Sequence, residues 1–190
     1  MKTGRLEAFS DGVIAIIITI MVLEMKAPAG SDFSALKPLI PKFIFYVLSF
    51  IYVGIYWNNH HHLFQAIQKV NGKVLWTNLT LLFGLSMIPF TNAWMGEHMM
   101  GKNPVALYSL NLLFCAVAFM LLERAAISHE GKESAIGRAM KGQRKEMISV
   151  LCYALAFVLS FYIPIISMAL IVTVAALWLI PDRRIEKQLE

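Results

Sequence analysis

Apolar residues run along this chain in blocks of about twenty, and each block is bounded by charged or turn-forming residues. The first block, Val13 to Leu23, follows a polar stretch that reads Arg5-Leu-Glu-Ala-Phe-Ser-Asp-Gly. Within it Ile16, Thr19, Ile20 and Leu23 fall at i, i+3, i+4 and i+7, which is one face of a helix. A helix needs about 20 residues to cross a hydrocarbon core of about 30 Å. By that measure the pattern predicts six spans, at about 5–26, 38–65, 74–96, 104–123, 146–163 and 165–181.

The last two spans share one uncharged run from Met147 to Ile180. A single helix over those residues would be about 51 Å long, too long for one crossing. Pro164 near its middle has no N–H and disfavours helix in the residue before it, so two short spans with a tight turn are predicted. The expected fold class is an all-α integral membrane protein. It has six transmembrane helices per subunit and a single domain over residues 1–190. The stretch Ala27-Pro-Ala-Gly-Ser-Asp reads as a short outer loop, with Pro38 near the start of the second helix. Residues 129–145 read as a basic cytoplasmic linker lying near anionic headgroups.

Charge fixes the orientation. With six spans and an inner N-terminus, thirteen of the seventeen Lys and Arg residues fall on the inner side and four outside, as the positive-inside rule requires. A five-span fold would put Arg183, Arg184 and Lys187 outside. Both termini are therefore predicted to be cytoplasmic. The first apolar segment is too long for a signal-peptide core and has no small-x-small site, so no cleavage is expected.

Composition agrees. The chain is 58% hydrophobic with a mean hydropathy of +0.63, and 15% of its residues are charged, against roughly 25% in soluble domains. The net charge of +5 lies between spans, so it reports topology and predicts no nucleic-acid partner. Cys115 and Cys152 sit inside apolar runs and are expected to pack as small hydrophobes.

The orientation brings several polar residues to one depth. Arg5, Glu7, Ser10 and Asp11 open the first helix. Trp57-Asn58-Asn59-His60-His61-His62 closes the second, and Trp76, Thr77 and Asn78 open the third. Arg5 and Asp11 are six residues apart, so about 240° separates them around the helix. Each is then expected to find its partner on a neighbouring helix. Such a network is a structural clamp or a gating element, and histidine, which titrates near neutral pH, makes it proton-sensitive in the second case. Successive histidines on a helix point about 100° apart, so His60, His61 and His62 are not expected to chelate one metal ion. The outer Met95 to Met100 segment offers soft ligands, but packing is its simpler reading. No metal site, no cofactor and no catalytic constellation is predicted; the chain does not read as an enzyme.

Arg5-x-x-x-Phe9-Ser10-Asp11 resembles the head of the first helix in bacterial relatives of transmembrane protein 175, the lysosomal-type potassium channel family. Trp57-x-x-His60-His61-x-Leu63-Phe64, Leu75-Trp76-x-Asn78 and Ser86-x-x-Pro89-Phe90-Thr91 are similar to further signatures of that family. Helices four to six match in hydropathy alone. The resemblance implies a homotetramer in the bacterial inner membrane, with a pore lined by the first helix of each subunit and K+ as the permeant ion. It implies a pore constriction at Ile16, Ile20 and Leu23 and an ion-selectivity role for Thr19. It also implies a structural or gating polar network of Arg5, Phe9, Ser10, Asp11, Trp57, His60, His61 and Asn78.

The expected function is a potassium-preferring leak channel closed by a hydrophobic constriction, which gates by dewetting. Human relatives also pass protons. The competing readings are a proton- or cation-coupled transporter using Asp11, Glu7 and the histidines, and a non-conducting assembly protein. The transporter reading lacks a broken-helix pair or a carboxylate at the membrane centre.

Overall fold

A computed structural model describes residues 3–131, 133–139 and 144–179, and every described element is helical. Helix α1 spans Thr3–Leu23. A 3-10 segment, Phe33–Leu39, runs directly into α2, Ile40–Ala66. Then come α3 (Gly72–Ser86), α4 (Ile88–Glu97), α5 (Lys102–Glu130), the short α6 (Ala135–Ala139), α7 (Arg144–Ser160) and α8 (Pro164–Leu179). Lys2, Lys132, Lys141, Arg183, Arg184 and Lys187, part of the basic set that orients the chain, lie outside the described residues.

Among the described residues four helical segments are long and apolar enough to cross a membrane: Thr3–Leu23, Phe33–Ala66, Gly72–Glu97 and Lys102–Glu130. Helix α8 is apolar but has 16 residues, or about 24 Å of helix. α7 has 17, opening with Arg144 and Lys145.

The breaks have local causes. Asn71 caps α3 by accepting from the Val74 N–H at 2.9 Å, which meets one of the orphan donors of a helix start. Pro89 interrupts the third apolar segment because it has no N–H to give to the preceding turn. The chain responds with a turn at Met87, whose N–H bonds back to the Gly84 carbonyl at 3.2 Å, and α4 resumes in the same direction as a continuation of the segment. The uncharged run after Met147 ends its first helix at Ser160. The Tyr162 and Ile163 N–H groups close on the Leu159 carbonyl, and Pro164 opens α8.

Two boundaries differ from the sequence expectation. Pro38 lies inside the 3-10 segment, and Pro41 occupies the first turn of α2 instead. Helix α5 runs to Glu130, so the expected linker at 129–145 begins as helix and contains α6. The reason for the longer α5 is burial beyond Glu123: Ala126 is in the core, and the Glu130 carboxylate accepts the Gln68 and Lys69 N–H groups at 3.0 and 2.9 Å.

α5 stands at the centre, between α3 and α7, while α1 packs on α2, α3 and α4 and α8 packs on α7, α2 and α5. Gly84 sets the α3–α5 distance. A Cβ there would lie 2.7 Å from Phe114 Cδ1 and 2.9 Å from Cys115 Sγ. Small residues allow such close approach between membrane helices.

Candidate functional site: the two faces of α1

α1 divides into two faces. Leu6, Ser10, Ile14, Ile17 and Met21 are buried against the bundle, and their spacing of three and four residues keeps them on one side of the helix. Phe9, Ile16, Ile20 and Leu23 lie exposed on the other side, with Ile16 at 57%, Ile20 at 41% and Leu23 at 75% exposure. Thr19 is exposed with them, and its hydroxyl donates to the Ile16 carbonyl at 2.8 Å. That bond uses the hydroxyl hydrogen and leaves the oxygen lone pairs open.

The polar residue of the buried face starts a linear chain of hydrogen bonds. The Ser10 hydroxyl donates to the Leu6 carbonyl at 2.9 Å. Its oxygen accepts from the Asn78 Nδ2 at 2.9 Å. The Asn78 Oδ1 then faces the His60 Nε2 at 2.8 Å. Because Ser10 has already spent its hydrogen, Asn78 must donate to it, and the Asn78 carbonyl must accept from His60. That logic puts the proton of a neutral His60 on Nε2. The His60 ring stacks on Phe64, with centroids 4.4 Å apart. Its Nδ1 is buried with no hydrogen-bond partner among the described residues.

A second, more exposed set joins α1 to the last turns of α2. The Trp57 Nε1 donates to the Asp11 carboxylate at 3.0 Å. The His61 Nδ1 meets the Glu7 carboxylate at 2.9 Å, and its Nε2 meets the Gln65 amide at 2.8 Å. A neutral His61 with its proton on Nδ1 satisfies both contacts. The Trp57 and His61 rings stack at 6.0 Å, which braces the two contacts against each other.

Of the network residues named from sequence, the structure brings together Ser10, Asp11, Trp57, His60, His61 and Asn78. It does not bring in Arg5 or Phe9, both exposed; Arg5 makes no ion pair or side-chain hydrogen bond with another described residue. Asn59 turns back to the Ile55 carbonyl of its own helix. Among the described residues no group of three His, Cys, Asp or Glu could hold a metal ion.

Sequence reasoning missed two things. Glu7 and His61 are placed at one depth by the sequence but not paired, and Gln65, four residues after His61, is not singled out. A separate buried cluster joins Ser49 to the Asn92 Oδ1 at 3.0 Å and to the Tyr108 hydroxyl at 2.9 Å, and Asn92 directly follows Thr91. On the same side as the end of α1, Lys42 pairs with Glu97 at 3.3 Å.

Comparison with known proteins places the motifs in context. The family model described as endosomal/lysosomal potassium channel TMEM175 matches residues 5–89, the stretch that holds both faces of α1 and the whole network. A protein named as a potassium channel from Chryseobacterium sp. is 53% identical over 190 residues, which is 100% of this chain and 99% of that one. One similarly named from Chamaesiphon minutus is 30% identical over 177 residues, 84% of this chain and 85% of that one. The fold matches a crystal structure of a lysosomal potassium-selective channel TMEM175 homolog from Chamaesiphon minutus. That match has a TM-score of 0.81 at 28% identity and covers 95% of this chain and 97% of the other.

Proposed function

The chain belongs to the TMEM175 family of ion channels, and we propose that it is a potassium-preferring leak channel whose pore is lined by α1. It is a multi-pass membrane protein, and its family is one of channels, not of enzymes. In this reading the whole chain is one six-span domain, with α7 and α8 as the fifth and sixth crossings and both termini in the cytoplasm. Four copies assemble in the bacterial inner membrane around a shared axis.

The observation that carries the reading is the bare apolar face of α1. Ile16, Ile20 and Leu23 are exposed, while Ile14, Ile17 and Met21, their neighbours in sequence, are buried. Four such faces around an axis make stacked apolar rings. A cation cannot shed its hydration shell where nothing replaces the water, so the rings close the pore by dewetting. When the helices shift and the pore wets, four Thr19 oxygens offer a partial coordination ring. K+ gives up its water more readily than Na+, so a weak oxygen ring favours K+ modestly. Asp11 and Glu7 raise the cation concentration at the inner mouth.

The polar network is the clamp that holds the pore helix. It ties α1 to α2 and α3 through Ser10, Asp11, Trp57, His60, His61 and Asn78, leaving the opposite face free for the axis. Arg5 and Phe9, exposed in a single subunit, are its contacts to neighbouring copies.

The test is a planar bilayer holding purified protein with K+ on one side and Na+ on the other. A reversal potential shifted towards the K+ equilibrium potential is expected. A clear current reversing at zero would contradict the potassium preference, and no current at all would contradict the channel.

A further inference from the structure

α3 and α5 run antiparallel. Gly84 of one lies against Cys115 of the other, while Lys73, at the start of α3, shares a groove with Ser128 and His129 near the end of α5. The groove has a volume of about 780 Å3, within the ~300–1,000 Å3 of sites that take small molecules. Lys73, Trp76, Ser128 and His129 are all exposed along it, and neither the pore face of α1 nor the polar clamp uses it. Its polarity is graded along the helix axes. Lys73 and His129 stand at the rim, and Trp76 and Ala125 lie about one turn deeper, since three residues advance a helix by ~4.5 Å.

Neither the Lys73 ammonium nor the His129 ring makes a side-chain hydrogen bond or ion pair with another described residue. Glu130, the carboxylate beside His129, is engaged elsewhere, accepting the Gln68 and Lys69 N–H groups of the α2–α3 connection. Asn71, also in the groove, spends its Oδ1 on the Val74 N–H, which leaves its Nδ2 hydrogens as donors. The rim thus offers donors and positive charge to an acceptor-rich anion. At its deep end the groove runs into an apolar seam. Trp76, Leu79 and Phe83 follow one another along one face of α3, and Ala125, Leu121, Val117 and Phe114 recede along one face of α5. Leu79, Phe83, Leu121, Val117 and Phe114 are exposed, and the Phe83 and Phe114 rings meet at 6.2 Å between centroids.

We propose that this groove binds a phospholipid with an anionic headgroup. Lys73, His129 and the Asn71 amide hold the phosphate, the Trp76 indole lies at the level of the glycerol, and one acyl chain follows the α3–α5 seam. Charge, interfacial indole and apolar track occur in the order in which a lipid presents headgroup, glycerol and chain. A soluble anion has no use for Trp76, at 73% exposure, or for the seam, and a bare hydrocarbon tail has none for Lys73. Trp76 stands two residues before Asn78, whose amide links α1 and α2 to α3. A bound lipid therefore fastens α3 to α5 beside the clamp.

The experiment places the purified full-length protein in phosphatidylcholine vesicles that contain a minor share of phosphatidylglycerol. Bromine is carried on the acyl chains of one lipid or the other, and quenching of tryptophan fluorescence is read, since bromine quenches an indole only near contact. At equal mole fraction, brominated phosphatidylglycerol is expected to be preferred by roughly fivefold or more. Trp76→Phe should remove the difference because it removes the reporter. Lys73→Gln alters an exposed side chain and should lower the preference by roughly fivefold, the worth of one lysine at an anionic surface. Arg144→Gln, exposed at the start of α7 and outside the groove, should leave it unchanged, as should excess inorganic phosphate. Equal quenching by the two lipids, or a preference that survives either Trp76→Phe or Lys73→Gln, would overturn the proposal. So would an equal loss in Arg144→Gln, which marks general surface charge, or relief of quenching by phosphate, which marks a soluble anion.

Discussion

Asn78 on α3 donates to Ser10 on α1 across a buried 2.9 Å hydrogen bond, and the same amide receives His60 from α2 at 2.8 Å. One side chain thus fixes three helices at a single point. An interhelical hydrogen bond in a membrane protein contributes only ~0.6 kcal/mol on average, but leaving one partner buried and unsatisfied costs ~1–3 kcal/mol. The second quantity decides the effect of substitution here. Ser10→Ala strips the Asn78 Nδ2 of its acceptor and should lower unfolding free energy in detergent by ~1–2 kcal/mol. An equilibrium unfolding curve that overlays the wild type would show that the amide finds another partner.

Gly84→Ala should destabilise the protein through geometry alone. The new Cβ meets the Phe114 ring and Cys115 Sγ below 3.0 Å, and overpacking of this kind typically costs ~1–3 kcal/mol. Phe114→Ala in the same background should recover part of the loss, because it removes the closer of the two clashes. Thermal melting of the single and double variants reads this directly.

The first four apolar segments, the break before Pro164 and the apolar stripe of α1 were legible in the sequence because each rests on period and composition, which survive without tertiary context. The meeting of Asp11 with Trp57, and of His60 with Asn78, was legible as a shared depth but not as a set of partners. Which donor reaches which acceptor depends on helix rotation, and hydropathy does not encode that. Glu130 shows the limit most clearly. Its sequence position suggests a solvated loop, yet its carboxylate holds two backbone N–H groups of the α2–α3 connection and α5 extends to deliver it. Arg5 shows the converse, a residue that the motif ties to the network and that stands apart from it within one subunit.

Ile16→Asn should raise resting K+ flux. A polar side chain on each copy gives water a foothold in the constriction and lowers the dewetting barrier. Flux should rise by roughly tenfold or more, since each ~1.4 kcal/mol off a barrier is a factor of ten. Potassium release from loaded liposomes measures it, and a rate equal to the wild type would remove Ile16 from the constriction.

Thr19→Val keeps the side-chain shape and removes the hydroxyl. The reversal potential between K+ and Na+ should move towards zero while current persists. If it stays at the wild-type value, the Thr19 oxygens play no part in selecting K+.

The claim beneath these predictions is that the exposed face of α1 faces the ion path and the buried face does not. Cysteine accessibility tests it most directly, after Cys115 and Cys152 are replaced by alanine. A charged, water-soluble thiol reagent should change K+ current through Ile20→Cys and Leu23→Cys and leave Ile17→Cys and Met21→Cys unaffected. Modification of current at Ile17 or Met21 with none at Ile20 or Leu23 would contradict the account.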